Sequence, residues 1–270
     1  MPRNVGMACA AGLLAALSPA AAGGLTIDLT AGVESTSVFR GYRARRLNPN
    51  PYAVLDLEQG PLYAGLYAAP AAFGPETNAL LTGYAGWLPV VAGFELDLGV
   101  GYYAFPDSRV YEIDSDGDGL ADHSGRKGLI EPYAGFAREV AGLAVEAFVF
   151  YTPDSLGETG PGWYGSAEVA RELGEGISLV AGYGVSRFNN DQLNDDYDDW
   201  RVAVEKSLFG FDLKLRYSDT VGALGSDNRT LSLIVERPFG VLGSARRDEE
   251  DFDKIRNRFI IDKCRLMAGR

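Results

Sequence analysis

Residues 200–218 read WRVAVEKSLFGFDLKLRYS, two alternating runs that are joined by Phe209–Gly210. In residues 211–218 apolar or aromatic side chains occupy every second position, and Asp, Lys, Arg and Ser occupy the positions between them. Because successive side chains of a strand point to opposite faces, each run predicts a strand with one apolar and one polar face. In a transmembrane β-barrel those two faces meet lipid and lumen.

The same alternation recurs along most of the chain, beginning at Leu25 and reappearing at Phe94 and Leu143. An even number of strands is typical of bacterial single-chain barrels. The runs predict about twelve strands, near residues 25–36, 51–58, 62–69, 79–88, 93–105, 128–139, 143–152, 162–173, 177–188, 198–207, 211–219 and 229–239.

The predicted connections alternate in length. Very short connections, such as 140–142 and 209–210, alternate along the chain with longer ones, such as 106–127 and 189–197. Short periplasmic turns and longer external loops give a membrane barrel this parity, which a soluble sandwich has no reason to keep. The sequence therefore predicts an all-β, antiparallel, up-and-down β-barrel in a bacterial outer membrane, with a soluble exported β-sandwich as the outside alternative.

Both ends of the chain differ from the alternating part. Arg3, an apolar run from Met7 to Leu17 and the small residues before Gly23 predict a signal peptide over 1–22 and a barrel over 23–239. Residues 240–270 form a charge-dense extension, with an apolar spacing over 252–259 that is compatible with a short helix. Removal of the signal would leave only Cys264, too few cysteines for a disulfide framework.

The net charge of -12 argues against nucleic acid as a partner, because phosphate binding needs clustered Lys and Arg. The predicted partners are outer-membrane lipid, small solutes or ions, and the barrel-assembly machinery, which would recognise the last strand by its terminal aromatic, Phe239. Aromatic side chains near strand ends are interpreted as interfacial girdles, although aromatics favour strands in general. They are Tyr52, Tyr63, Tyr67, Trp87, Tyr102, Tyr103, Tyr151, Trp163, Tyr164, Trp200 and Tyr217.

The first third of the chain also carries a family resemblance. The stretch STSVFRGYRARRLNPNP at 35–51, the hairpin sequence LYAGLYAA at 62–69 and FELDLGVGYYAFP at 94–106 are similar to segments of the TorF-type porin family, Gcw_chp-like proteobacterial outer-membrane proteins. The matching residues are Phe39, Arg40, Gly41, Pro51, Tyr63 and Gly65. The resemblance implies an outer-membrane barrel of unproven transport role.

The segment DSDGDGLAD at 114–122 has the alternating oxygen ligands and the turn glycine of a calcium loop. On that template the ligands are Asp114, Asp116, Asp118, the carbonyl of Leu120, and Asp122. Position twelve is Gly125 instead of glutamate, which lowers the affinity or requires another ligand such as Glu112. The alternative is an acidic, solvated turn.

The inward faces of the predicted strands are mostly acidic. Rings of carboxylates favour cations in an open lumen, whereas pairing of the same acids with Arg201, Lys214 and Arg216 would stabilise a closed barrel. The predicted lumen-facing residues are Asp28, Glu34, Asp56, Glu95, Asp97, Glu146, Glu168, Arg201, Glu205, Asp212, Lys214 and Arg216.

Catalysis has little support in the sequence. The sole histidine, His123, lies beside the Asp-rich segment, so a serine, histidine and acid group on the barrel wall is unavailable. Glu95 and Asp97 are a pair suited to acid and base chemistry, yet a wet lumen requires such residues in any case. The sequence predicts a non-enzymatic channel for small hydrophilic solutes or ions, with a closed structural or adhesion barrel that displays calcium-stiffened loops as the alternative.

Overall fold

The computed structural model describes residues 24–43, 49–70, 79–106, 112–113, 123–124, 128–155, 160–189, 196–222 and 228–243. Within these ranges no helix is long and apolar enough to cross a membrane. The long strands are β1 (Thr26–Glu34), β2 (Asn50–Gln59), β3 (Leu62–Pro70), β4 (Ala79–Trp87), β5 (Phe94–Ala104), β6 (Gly128–Val140), β7 (Leu143–Thr152), β8 (Gly162–Gly174), β9 (Ile177–Phe188), β10 (Tyr197–Leu208), β11 (Phe211–Val221) and β12 (Thr230–Leu242).

These twelve strands form one closed antiparallel barrel. Each strand pairs with the next along the chain, and β12 pairs with β1 to close the ring, with Val33 opposite Val235. Beyond the strand pairs, the Ser35 amide donates a hydrogen bond to the Leu233 carbonyl across this seam at 2.8 Å. The predicted fold class is confirmed, and β12 continues past Phe239 to Leu242. The predicted signal peptide and most of the predicted extension lie outside the described residues.

Two-residue turns join strands at one end of the barrel, the end that the sequence predicts to be periplasmic. Three of these turns have two successive residues with positive φ angles. The angles are 53° and 74° in Ala141–Gly142, 53° and 66° in Glu175–Gly176, and 54° and 76° in Phe209–Gly210. Two positive φ angles define the type I′ turn, whose twist matches that of the flanking strands. Because such a turn fixes the pairing register, each hairpin also fixes which side chains face the lumen.

The outer face of the barrel is apolar. Exposed residues such as Leu66, Leu98 and Leu231 alternate with buried neighbours along their strands, and Trp87 and Trp163 are about half-exposed on the same face. An exposed apolar belt of this size on a closed barrel is stable only against lipid.

The interior corrects the interpretation of the aromatic residues. Five of the eleven aromatic side chains interpreted from the sequence as interfacial girdles lie buried inside the barrel. They are Tyr52, Tyr63, Tyr67, Tyr103 and Tyr164. The physical reason is strand parity: Leu62 and Leu66 occupy the outward positions of β3, so Tyr63 and Tyr67 point inward. The inner wall from β2 to β8 is consequently an aromatic core cluster instead of a polar surface.

Candidate functional site

The barrel interior contains rows of three residues on adjacent strands, with a glycine in the middle. Tyr84 on β4, Gly65 on β3 and Asp56 on β2 are aligned in register, and the Tyr84 hydroxyl donates a hydrogen bond to the Asp56 carboxylate across the glycine. A Cβ atom on Gly65 would overlap the Tyr84 ring. The glycine therefore allows the ring to lie flat against the wall and reach an acid two strands away.

The same arrangement recurs at two other places. Tyr52 lies over Gly32 and donates a hydrogen bond to Glu236 on β12. Arg201 lies over Gly182, and its Nε donates to Glu168 Oε2 on β8 at 2.9 Å. These rows tie carboxylates to donors two strands away, so the lumen acids are held in fixed positions.

Two further tyrosines meet over a pair of glycines. Tyr63, Gly86, Gly99 and Tyr133 are aligned across β3 to β6, and the two tyrosine hydroxyls are hydrogen-bonded to each other. The Tyr63 hydroxyl also donates to Asp97 at 2.6 Å. The two hydroxyls and the carboxylate form a buried hydrogen-bonded chain, which satisfies these polar groups and makes this wall rigid.

The loop between β1 and β2 sends a small hairpin into the lumen. Val38–Phe39 pairs with Tyr42–Arg43, and Arg40 and Gly41 form its tip with φ angles of 42° and 82°. We call residues 38–43 the inner hairpin. Val38 and Phe39 are buried, and the Tyr42 ring packs edge-on against Tyr197 of β10, 4.7 Å between centroids. The inner hairpin therefore reaches β10, which lies three strands from β1 around the ring.

Arg40 anchors the tip of the inner hairpin. Its Nη1 and Nη2 atoms donate to the two carboxylate oxygens of Glu131 on β6, at 3.2 and 2.9 Å. The guanidinium carbon lies 4.3 Å from the ring centre of Tyr164 and 5.2 Å from that of Phe150. Burial alone would lower the pKa of Arg40, but Glu131 raises it, and the pKa lies above its ordinary value. Bidentate pairing and ring stacking are contacts for which arginine is specifically suited.

Glu131 is a hub for donors from several strands. Besides Arg40, it accepts hydrogen bonds from the hydroxyls of Tyr103, at 3.0 Å, and Thr152, at 2.5 Å. The four groups lie on β5, β6, β7 and the inner hairpin. The three donors satisfy the hydrogen-bonding capacity of this buried carboxylate and tie the inner hairpin to three neighbouring strands.

The wall formed by β8 to β12 and β1 is charged. Ion pairs join Lys214 to Glu205 at 2.9 Å and Arg216 to Glu34 at 3.6 Å, in addition to the pair of Arg201 with Glu168. A cavity of about 40 Å³ lies between this wall and the inner hairpin. It is lined by Val38, Arg40, Gly41, Glu168, Val180, Asp199, Arg201, Ala203, Lys214, Arg216 and Ser218.

All twelve predicted lumen residues occupy inward positions of the strand alternation. Three of the predicted acids, Glu34, Glu168 and Glu205, are brought next to predicted cations. Asp56 and Asp97 instead accept hydrogen bonds from tyrosines, and Asp212 accepts one from Ser207 at 2.5 Å. Asp28, Glu95 and Glu146 lie nearer the end of the barrel that has the two-residue turns.

Sequence reasoning missed Arg40 and Glu131 as interior residues. Glu131 sits on the polar face of β6, two residues before the inward Tyr133, so strand parity alone would have identified it. For Arg40 the sequence signal is the stretch Phe39-Arg40-Gly41-Tyr42. In it Arg40 and Gly41 stand between two aromatic residues, which is the pattern of a hairpin with a two-residue turn.

The predicted calcium ligands Asp114, Asp116, Asp118, Leu120 and Asp122 lie outside the described residues. The backbone strands on either side, Glu112–Ile113 and His123–Ser124, pair antiparallel. This pairing brings together the two ends of the Asp-rich segment. Across the described ranges, no group of three or more His, Cys, Asp or Glu side chains is arranged to hold a metal.

Comparison with known proteins gives one family. A family model described as bacterial protein of unknown function (Gcw_chp) matches residues 18–231, which is most of the chain. A search of curated proteins found no match.

Among solved structures, a KdgM porin aligns with 80% of this chain and 99% of its own, at 8% identity and a TM-score of 0.50. An outer membrane channel from Pseudomonas putida aligns with 81% of this chain and 96% of its own, at 12% identity and a TM-score of 0.48. Because the sequence identity to the KdgM porin is only 8%, this similarity shows a shared fold and nothing more.

Proposed function

The chain belongs to the Gcw_chp family of bacterial proteins, its barrel lies in the bacterial outer membrane, and we propose that it is a porin-like channel for small hydrophilic solutes or ions. The supporting observation is the division of the interior into two unlike walls. The wall from β2 to β8 is packed with aromatic side chains, whereas the other wall presents ion pairs to a cavity. Charged groups of this kind are stable inside a barrel when water has access to them.

The path that we propose runs along the charged wall, beside the inner hairpin. The proposed path is narrow where the inner hairpin faces the charged wall across the small cavity, so we expect transport to be limited to small solutes. That the chain is not an enzyme, and that it is of the TorF type within its family, remain predictions.

Planar-bilayer recording of the purified, folded chain tests this proposal. Discrete conductance steps are expected, and protein that has been heat-unfolded in the same detergent serves as the control. Silence across repeated insertions of protein with a heat-modifiable gel shift would exclude the channel.

The second candidate is a closed structural or adhesion barrel. Two observations favour it: the aromatic cluster fills one side of the lumen, and Arg40 of the inner hairpin is bound to Glu131 on β6. In that case the barrel would display its external loops without conducting, and silent but correctly folded insertions would support it.

We also propose that the loop that contains residues 114–122 binds calcium. The antiparallel pairing of Glu112–Ile113 with His123–Ser124 supports the proposal, because it holds the two residues that flank the segment, Ile113 and His123, opposite each other. Calorimetric titration should give a dissociation constant of about 10⁻⁴–10⁻³ M, the range of weak extracellular sites. Asp116→Ala should abolish the heat, whereas Asp195→Ala, in an acidic segment without alternating spacing, should not. Absence of heat in the native chain would remove the calcium site.

Recognition by the barrel-assembly machinery is a further proposal that depends on Phe239. Its side chain is exposed on the outer face of β12, opposite Leu29 at the closing seam. Phe239→Ala should reduce the heat-modifiable fraction in the outer membrane, whereas Phe211→Ala, another exposed aromatic on the neighbouring strand, should leave it unchanged. Equal yields of the two variants would count against recognition through this residue.

A further inference from the structure

We propose that the cavity beside the inner hairpin binds a small anion, the carboxylate or phosphate group of a solute. The inference rests on the proposed channel function for its biological role, since such a site would select anionic solutes. The binding site itself would also exist in a barrel that does not conduct.

The first support is that positively charged side chains outnumber carboxylates in the cavity lining. The cavity lining contains four cations, Arg40, Arg201, Lys214 and Arg216, but only two carboxylates, Glu168 and Asp199. The carboxylates that pair with the other three cations, Glu34, Glu131 and Glu205, do not belong to the lining.

In most of these ion pairs the side chain of the cation is more exposed than that of its acid. Arg40 is 11% exposed and its partner Glu131 4%, and Arg216 is 9% exposed and its partner Glu34 1%. Arg201 and Glu168 follow the same order, at 14% and 6%, and only the Lys214–Glu205 pair reverses it. In three of four pairs the cation therefore lies in front of its acid. A ligand in the cavity meets positive charge first, although the chain as a whole is acidic.

The second support is a buried donor. Ser218 on β11 lines the cavity two residues beyond Arg216, is 3% exposed, and has no hydrogen-bond partner for its Oγ among the described residues. The Nε of Arg40 is likewise buried without a partner. Buried donors are nearly always satisfied, and an oxyanion in the cavity would accept hydrogen bonds from both.

Cavity size limits the ligand to a small group. A volume of about 40 Å³ compares with roughly 10–15 Å³ for one water molecule on the same measure. The space therefore fits one carboxylate or phosphate group, with the remainder of a solute extending along the passage.

Calorimetric titration of the full chain in detergent, with inorganic phosphate in one arm and acetate in the other, tests the site. Heat with phosphate alone, acetate alone or both supports the inference and identifies the group. Lys214→Gln should weaken binding about tenfold through loss of one charge-assisted contact. Lys206→Gln makes the same chemical change on the outer face of β10 and should leave binding unchanged.

Absence of heat in both arms, or equal weakening by the two variants, would overturn the inference. If Lys214→Gln lacks the heat-modifiable shift, Ser218→Ala replaces it as the test variant, and unchanged affinity in that variant would also overturn the site. Because calorimetry does not need conduction, a silent barrel that binds phosphate would contradict the channel but keep the site. Conductance steps without phosphate or acetate binding would support the channel but contradict the anion site.

Discussion

Replacing Arg40 by alanine is expected to lower the free energy of unfolding by about 3 kcal/mol, the lower end for removing one partner of a buried ion pair. Glu131 is almost fully buried, so the loss of its bidentate partner leaves a charge that water reaches poorly. The same substitution removes the contacts with Tyr164 and Phe150 that hold the tip of the inner hairpin against the far wall. Once released, the hairpin should obstruct the passage less, and the single-channel conductance should rise.

Urea titration of the folded chain and planar-bilayer recording measure the two effects. Arg40→Lys keeps the charge but loses the fork geometry and the stacking, so it should fall between the native chain and Arg40→Ala. The matched control is Arg187→Ala. Arg187 is 49% exposed and also pairs with a carboxylate, Asp198, so its loss should cost no more than about 1 kcal/mol. If Arg40→Ala resembled Arg187→Ala in both measurements, the inner hairpin would not be anchored as described.

Replacing Gly65 by alanine is expected to destabilise the barrel by about 3 kcal/mol, from overpacking and from the loss of a charged hydrogen bond. The new methyl group would overlap the ring of Tyr84, which is buried and cannot turn toward solvent. If the ring moved, its hydroxyl would leave the buried Asp56 carboxylate.

Gly83→Ala is the control for this substitution. Gly83 lies on the neighbouring strand β4 at an outward position, where the nearest atom to an added Cβ is a Leu66 methyl at 3.7 Å. Ordinary contact at that distance, together with a less flexible unfolded chain, predicts no loss of stability. Equal urea midpoints for the two variants would show that ring packing over Gly65 contributes nothing.

The sequence was sufficient to predict the barrel because its strands and turns are defined by local patterns. Strand alternation identifies the inward face, and the two-residue turn at Phe209–Gly210 fixes the register of β10 and β11. Pairing residues outward from that turn, one on each strand at a time, places Glu205 opposite Lys214, and the structure shows this pair. Ion pairs within one hairpin can therefore be predicted once the turn is recognised.

Other interior contacts are not local in this sense. Arg40 and Glu131 are 91 residues apart, and their contact depends on the closed ring bringing β6 in front of a hairpin from the β1–β2 loop. Residue type also misled the interpretation of the tyrosines: aromatic character suggested the membrane interface, but parity places Tyr63 and Tyr67 inside. Where the two signals disagree in a strand, parity is the stronger one, because the pleat leaves no choice of face.

The inner hairpin also has a mechanical consequence. A ring of twelve strands without a rigid filling can flatten into an oval under the lateral pressure of the bilayer. The hairpin is rooted between β1 and β2, and its tip is fixed by two hydrogen bonds to β6, on the other side of the ring. It braces β1 and β2 against β6, so the cross-section of this barrel should deform less along that direction than across it.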